Sequence, residues 1–257
     1  GGEPFVRKGF PLFLKKVREE FPQAALSVTT NGSMLASVAD DILSLKLESI
    51  NISLDTLDPQ KFKLITGTGN VQDVIRGIRS VAIHSDTIVK LNTVLINRFN
   101  EDEIGDLLLF AEREGVLLRL IEFMPLHGDV WNYNRFISAD DILSSLPDAN
   151  SWRDDTSESK DNAGPARYLV NTLTGQRLGV IAAVTHHFCD TCNRLRITAT
   201  GQVLPCLFSQ KGVNISNALR ERDEEMVKKG IIEAIKMKPR RWLDMESGDE
   251  HMSRIGG

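Results

Sequence analysis

Cysteine is scarce in this chain, with three in 257 residues. All three fall in one stretch, as Cys189-x-x-Cys192 and then, after thirteen further residues, Cys206. An odd number at this spacing excludes the disulfide framework of a small secreted protein and points to a reducing compartment. Long apolar runs are missing too, and none approaches the length of a membrane span. Positive charge is not in excess either. A net charge of −4 leaves no electrostatic footprint for nucleic acid or an anionic membrane, so any recognition of phosphate must be local. The chain opens on Gly1-Gly2-Glu3-Pro4, with no initiating Met and no targeting segment, which reads as a cut inside a fold. A cytoplasmic protein is expected, with no nucleic acid and no membrane among its partners.

What is present is ordinary globular material, 41% hydrophobic and 26% charged, long enough for one large α/β domain or two modest ones. Leu26–Thr30, Ile50–Leu54, Ile88–Leu95 and Leu118–Met124 are short apolar or β-branched runs and read as strands. Amphipathic stretches lie between them, at about Leu12–Phe21, Val38–Leu45, Val71–His84 and Glu101–Glu114. Asn100 is placed to cap the last of these at its start and Gly115 at its end. Alternation of this kind predicts a parallel sheet with helices outside. Four strands are too few to close an eight-stranded barrel, so an incomplete or open barrel is expected over residues 1–126, working at the C-terminal ends of its strands. Thr29, Ser53, Lys90 and Met124 fall at those ends or point inward.

Residues 127–257 read differently, as an α+β region. A helix is expected over Ser138–Leu146, a polar loop over Asp148–Gly164 and a helix from about Asp223 to Met237. Strand-like segments at Arg167–Leu173, Arg177–Val184 and Leu195–Thr200 surround the cysteines.

Three thiolates, a tight pair and a distant third, suit a metal centre that keeps one position free. An iron–sulfur cluster held this way leaves one iron open to a ligand. Structural zinc would need a fourth ligand, for which His186 and His187 stand nearby. Arg194 and Arg196 alternate and would share one face of a strand, where guanidinium forks suit phosphate oxygens or a purine edge. Gly2 allows close backbone approach, and Glu3 can accept from an ammonium group. Read alone, Thr29-Thr30-Asn31-Gly32 is a strand–turn boundary and Ser53 a residue that satisfies local backbone. Lys90 between Val89 and Leu91 implies either an anion or an edge strand. His84, His127 and His251 have no ligand spacing.

The run Phe188-Cys189-x-x-Cys192-Asn193-Arg194-Leu195-Arg196, with Cys206-Leu207-Phe208 following, resembles the radical S-adenosylmethionine (SAM) GTP 3′,8-cyclase family of molybdenum cofactor biosynthesis. Gly1-Gly2-Glu3-Pro4, Thr29-Thr30-Asn31-Gly32, Asn51-Ile52-Ser53-Leu54-Asp55 and the closing Gly256-Gly257 agree with it. The resemblance implies an incomplete (βα)6 barrel with a C-terminal extension that carries an iron–sulfur site. Cys189, Cys192 and Cys206 would hold an auxiliary 4Fe-4S cluster whose free iron meets guanine. Thr29, Lys90, Arg194, Leu195 and Arg196 would contact GTP, and the Gly256-Gly257 tail would reach the active site. Gly2, Ser53 and Met124 would contact SAM, with Glu3 supporting its amino group. The implied reaction converts GTP to (8S)-3′,8-cyclo-7,8-dihydroguanosine 5′-triphosphate, which the next enzyme of the pathway takes up. A homodimer is allowed, and a eukaryotic member would work in the mitochondrial matrix. The family's second 4Fe-4S cluster needs a Cys-x-x-x-Cys-x-x-Cys motif that these residues lack. The chain as given is therefore expected to be an inactive fragment of the enzyme, and a non-catalytic zinc or iron–sulfur module is the rival reading.

Overall fold

The structure is a computed structural model that describes residues 2–82, 87–126, 131–157 and 164–244. Contacts divide the chain into two compact units. One consists of Glu3–Phe123 with Asn134–Thr185, and the other of Gly1–Gly2, Met124–Tyr133 and His186–Gly257.

The first unit is built on a seven-stranded sheet. Its strands are β1 (Ser27–Thr30), β2 (Ser49–Ser53), β3 (Ile88–Leu95), β4 (Leu117–Glu122), β5 (Trp152–Asp154), β6 (Arg167–Asn171) and β7 (Arg177–Ile181). They lie in the order β1-β2-β3-β4-β7-β6-β5. Neighbours from β1 to β4, and β4 with β7, are parallel, whereas β6 and β5 add antiparallel pairs. The parallel part follows from strand–helix alternation. Helices α1 (Phe10–Glu20), α2 (Leu35–Leu43), α3 (Pro59–Thr66), α4 (Val71–Ala82) and α5 (Ile104–Glu114) fall between successive strands or before the first. Each buries apolar residues against the core, from a single one on α1 (Leu14) and α3 (Phe62) to the stripe Val71, Val74, Ile75, Ile78 and Val81 on α4. One face of the sheet is apolar at alternate positions, for example Val89, Leu91 and Leu95, as period-two side-chain alternation requires.

Three elements depart from the sequence reading. The polar stretch after Asp148 contains β5, where Trp152 is buried and pairs with Asn171. Three residues are too few to show a periodic pattern. Asn100 stands at the N-cap of a 3₁₀ turn, Glu101–Glu103, that runs into α5, but its side chain makes no capping hydrogen bond. Its side chain instead ties three backbone segments, accepting from Ile96 N at 2.8 Å and donating to the carbonyls of Asp55 and Val94 at 2.7 and 2.9 Å. Gly115 does end the helix in the left-handed region, at φ 66°. The strand read at Leu195–Thr200 is limited to Arg196–Ile197, so Arg194 lies outside it and the shared strand face does not form. Ser138 and Asp223 cap α6 (Ala139–Ser144) and a long helix near the C-terminus, each with its own side chain.

The second unit carries a three-stranded antiparallel sheet, order β10-β9-β8, formed by Val213–Asn214, Gln202–Leu204 and Arg196–Ile197. It also carries α7 (Ser216–Glu221) and α8 (Glu224–Lys236). Val203, Ile215 and Ala234 are its buried apolar cluster, with Leu195, Val213, Val227 and Ile231 packed partly against it. No described helix is long and apolar enough to cross a membrane.

Candidate functional site

In the first unit, strand register gathers polar side chains on the face opposite the apolar one. Thr29, Asn51 and Lys90 are successive partners across β1, β2 and β3. The next row on the same face runs Ser53, Asn92, Arg119, Gly179, Tyr168 across β2, β3, β4, β7 and β6. Lys90 therefore stands on an interior strand, which removes the edge explanation for it. Thr29 and Lys90 are half-buried and Ser53 is exposed.

The centre of this face is Arg119, a residue the sequence reading passed over. Its Nε donates to Asn92 Oδ1 at 2.8 Å and its Nη2 donates to Asn51 Oδ1. A hydrogen bond also joins it to the Tyr168 phenol. Gly179 makes this possible. A Cβ there would come within 2.8 Å of Arg119 Cγ and 3.1 Å of Tyr168 Cε1. Burial pulls the Arg119 pKa below its ordinary value, with Tyr168 opposing. A largely buried guanidinium held by amide oxygens and a phenol leaves positive charge unbalanced at that point. The available signal was an arginine inside the apolar run Leu117-Leu118-Arg119-Leu120-Ile121.

The ends of the strands are fastened by carboxylates. Glu3 Oε1 accepts from Thr30 Oγ1 at 2.7 Å and from Phe5 N at 3.2 Å, and its Oε2 accepts from Asn31 N at 2.7 Å. Glu3 thus fixes the turn after β1, and its oxygens are already engaged by the protein. Glu122, fully buried at the end of β4, accepts from Ala139 N at 2.8 Å, Val184 N at 2.7 Å, Thr185 N at 3.0 Å and Thr185 Oγ1. Met124 follows two residues later and is half-buried. Beyond Ser53, Asp55 accepts from Val94 N at 2.8 Å. Burial raises its carboxyl from an ordinary 3.8 to about 6, against the lowering effect of that backbone donor.

The second unit holds the cysteines, all three half-buried and unoxidised. A 3₁₀ turn, Cys189–Thr191, closes the first two into one loop through Cys192 N to Cys189 O at 3.2 Å. Cys206 follows β9 and starts a turn to Ser209 N at 3.1 Å. Burial opposes ionisation of Cys192. Backbone and side-chain hydrogen bonds from Arg194, with the charges of Arg194 and Lys238, outweigh it and hold this thiol below its ordinary range. Arg196 is drawn below its usual pKa by burial and by Arg194, and Cys206 and Cys192 both offset this. Those two thiols therefore lie within electrostatic reach of one guanidinium. Arg194 is exposed, with Cζ 4.8 Å above the Phe188 ring, and Leu195 is half-buried.

Lys238, also missed in the sequence, donates from Nζ to Arg194 O at 2.7 Å and Pro205 O at 3.0 Å, with Cys192 Sγ at 3.8 Å. Phe208 stacks on Trp242 at 4.7 Å. Among the described residues, His187 Nδ1, Ser209 Oγ and Trp242 Nε1 are buried without a hydrogen-bond partner. Also among the described residues, no three His, Cys, Asp or Glu side chains converge as ligands of a single metal ion would. Gly2 is exposed with φ 80°. Gly256 and Gly257, like His84, His127 and His251, lie outside the described residues.

Comparison with known proteins bears on both units. Residues 1–111 match the model of the radical SAM superfamily, and residues 116–243 match the model described as Molybdenum Cofactor Synthesis C. A GTP 3′,8-cyclase of Thermodesulfovibrio yellowstonii is 36% identical over 258 aligned residues, covering 100% of this chain and 80% of the relative. Those of Peptoclostridium acidaminophilum and Rhizobium meliloti are 35% and 36% identical, each over 100% of this chain and over 78% and 76% of their own length. The chain belongs to the GTP 3′,8-cyclase family within the radical SAM superfamily.

Proposed function

We propose that the chain takes part in GTP 3′,8-cyclisation in molybdenum cofactor biosynthesis, and that its smaller unit binds a 4Fe-4S cluster and GTP. Radical SAM membership implies a 4Fe-4S cluster and SAM. The 257 residues supply three thiolates, Cys189, Cys192 and Cys206, enough for one cluster, which in this reading is the auxiliary one. No further cysteine among these residues is left to hold the SAM-binding cluster.

The donor chemistry of the three cysteines carries this reading. Tetrahedral zinc, with bonds of about 2.3 Å, would draw its sulfurs to within roughly 4 Å of one another. No such convergence is present among the described residues. Three thiolates each bound to a separate iron of a cubane leave the fourth iron free, which is the donor count this chain supplies. The lowered pKa of Cys192 and the orphaned donors of His187, Ser209 and Trp242 fit an electron-rich group in the same unit. When bound, such a cluster supplies an iron open to a guanine donor atom.

The protein's own part is electrostatic and positional. Arg194 and Arg196 neutralise phosphate, and Leu195 between them lines the nucleotide. Thr29 and Lys90, on the face that Arg119 makes positive, are read as further GTP contacts. Gly2, Ser53 and Met124 are read as SAM contacts, with Glu3 supporting the amino group of SAM while its oxygens hold the turn after β1. Residues 1–126 correspond in this reading to a partial (βα)6-type barrel, and residues 127–257 to the cluster- and GTP-binding region with its Gly256-Gly257 tail.

Anaerobic reconstitution followed by metal and sulfide analysis tests it. Brown protein with iron and acid-labile sulfide is expected, and colourless protein with one zinc would replace the reading with a zinc module. On cluster-loaded protein, Arg194→Ala should weaken GTP binding by about 1.5–3 kcal/mol in calorimetry, the range for a hydrogen bond to a charged group. Unchanged affinity removes Arg194 from the site.

A further inference from the structure

We propose that Lys238, just beyond α8, is a positioning residue for the cluster: it clamps the two ligand loops together and raises the cluster's reduction potential. The inference rests on the auxiliary-cluster reading above.

Lys238 sits where α8 ends, its N–H still bonded to Ile235 O at 3.1 Å. An ammonium group has three N–H donors and no acceptor. Here the three acceptors within reach are Arg194 O, Pro205 O and Cys192 Sγ. The first two carbonyls come from different segments. Arg194 lies two residues after Cys192, and Pro205 immediately precedes Cys206. One side chain thus ties the Cys189–Cys192 loop to the approach of Cys206, from a helix that contributes no ligand.

With its three donors taken up in this way, Lys238 has no proton left for a phosphate without releasing a loop. That separates it from Arg194 and Arg196. A plain surface lysine that merely ends a helix would bond its own last carbonyls, whereas this one reaches across 33 and 44 residues of sequence.

The contact to sulfur gives the clamp a second consequence. One-electron reduction adds negative charge to a cluster and its thiolates. A fixed cation donating toward a ligand sulfur stabilises the reduced form more than the oxidised one, which moves the midpoint potential upward. Neutral replacement should move it downward.

The test uses the whole chain after anaerobic reconstitution. Its thiols suffice for a single 4Fe-4S cluster, so one redox couple is read. Lys238→Met should keep its iron content at loading, shift the midpoint potential to more negative values in an EPR-monitored titration, and release iron to a chelator several-fold faster. Lys238→Arg should recover part of both effects. Lys236→Met, an exposed lysine one half-turn earlier, should match wild type.

A Lys238→Met protein with wild-type potential and wild-type iron release overturns the proposal. So does a Lys236→Met protein that shifts equally, because the effect would then be general surface charge. Should Lys238→Met fail to fold by circular dichroism, Lys238→Gln carries the same comparison, and unfolding of both overturns the assignment in favour of a fold role. A wild-type chain that takes up no iron fails earlier and differently, since it sinks the cluster reading before any lysine variant is compared.

Discussion

At the scale of single residues, the polar atoms that matter most are those the protein does not leave to water. Arg119, Glu122, Asp55 and Lys238 each join segments far apart in sequence, and of the four only Asp55 belongs to a motif. Asp55 has the clearest measurable consequence. Its carboxyl is raised to about 6 from an ordinary 3.8, mainly by burial. The folded state therefore favours the protonated form. That contribution is fully present below pH 3.8 and is lost as pH rises through 6. By linkage the loss amounts to at most about 3 kcal/mol. Asp55→Asn keeps an acceptor for Val94 N–H and removes the titration. The variant should gain stability relative to wild type as pH is raised from 4 to 7 in parallel denaturant melts. A difference that stays constant over that interval would show that Asp55 does not carry the shift. Arg119 and Lys238 were not legible because their meaning lies in partners supplied by other strands and loops. Cys189, Cys192 and Cys206 were legible because so few thiols are present and they are so closely spaced.

At the scale of elements, close approach between α4 and the turn after β1 holds the polar face in place. Gly77 lies in α4, where a Cβ would sit 2.5 Å from Gly32 O and 2.9 Å from Leu35 Cβ. Gly32 has φ 77°, and a Cβ there would meet Val74 and Ile52 at 2.8 and 2.9 Å. The contact on Gly77 is backbone, so no flexible side chain can give way. Gly77→Ala gains helix propensity of about 1 kcal/mol, but overpacking costs about 1–3 kcal/mol and should win. The expected result is net destabilisation in urea melts, with loss of hydrogen-exchange protection at Thr29–Gly32. Gly105→Ala in α5, whose nearest foreign atom would be 3.9 Å away, serves as the control and should be neutral or slightly stabilising. The parallel strands and their helices were readable because each carries its own periodic pattern over enough residues to be seen. The strands β5, β6 and β7 were not assigned to that sheet. Their pairing with β4 is a matter of topology, and β5 is only three residues long.

At the scale of the whole molecule, the two units differ sharply in the apolar core that supports them. The first buries leucines, isoleucines and valines from every parallel strand and every long helix. Among the described residues, the second has Val203, Ile215 and Ala234 as a buried cluster, with four partly covered neighbours. A buried cluster of that size offsets little of the conformational entropy of ordering its segments, and small modules of this kind are usually stapled by disulfide or metal. Its cysteines form no disulfide. The cluster proposed on them would then be a structural brace as well as a ligand site, because binding to the folded state alone stabilises it. Hydrogen–deuterium exchange on loaded and iron-stripped protein separates this from a purely catalytic role. Stripping should raise exchange several-fold or more across Arg196–Leu204, Val213–Asn214 and Glu224–Lys236, while Ser49–Ser53, Ile88–Leu95 and Leu117–Glu122 keep their protection. Equal protection in both states would mean that the smaller unit stands on its few apolar contacts and the clamp of Lys238, and that the metal adds chemistry without adding stability.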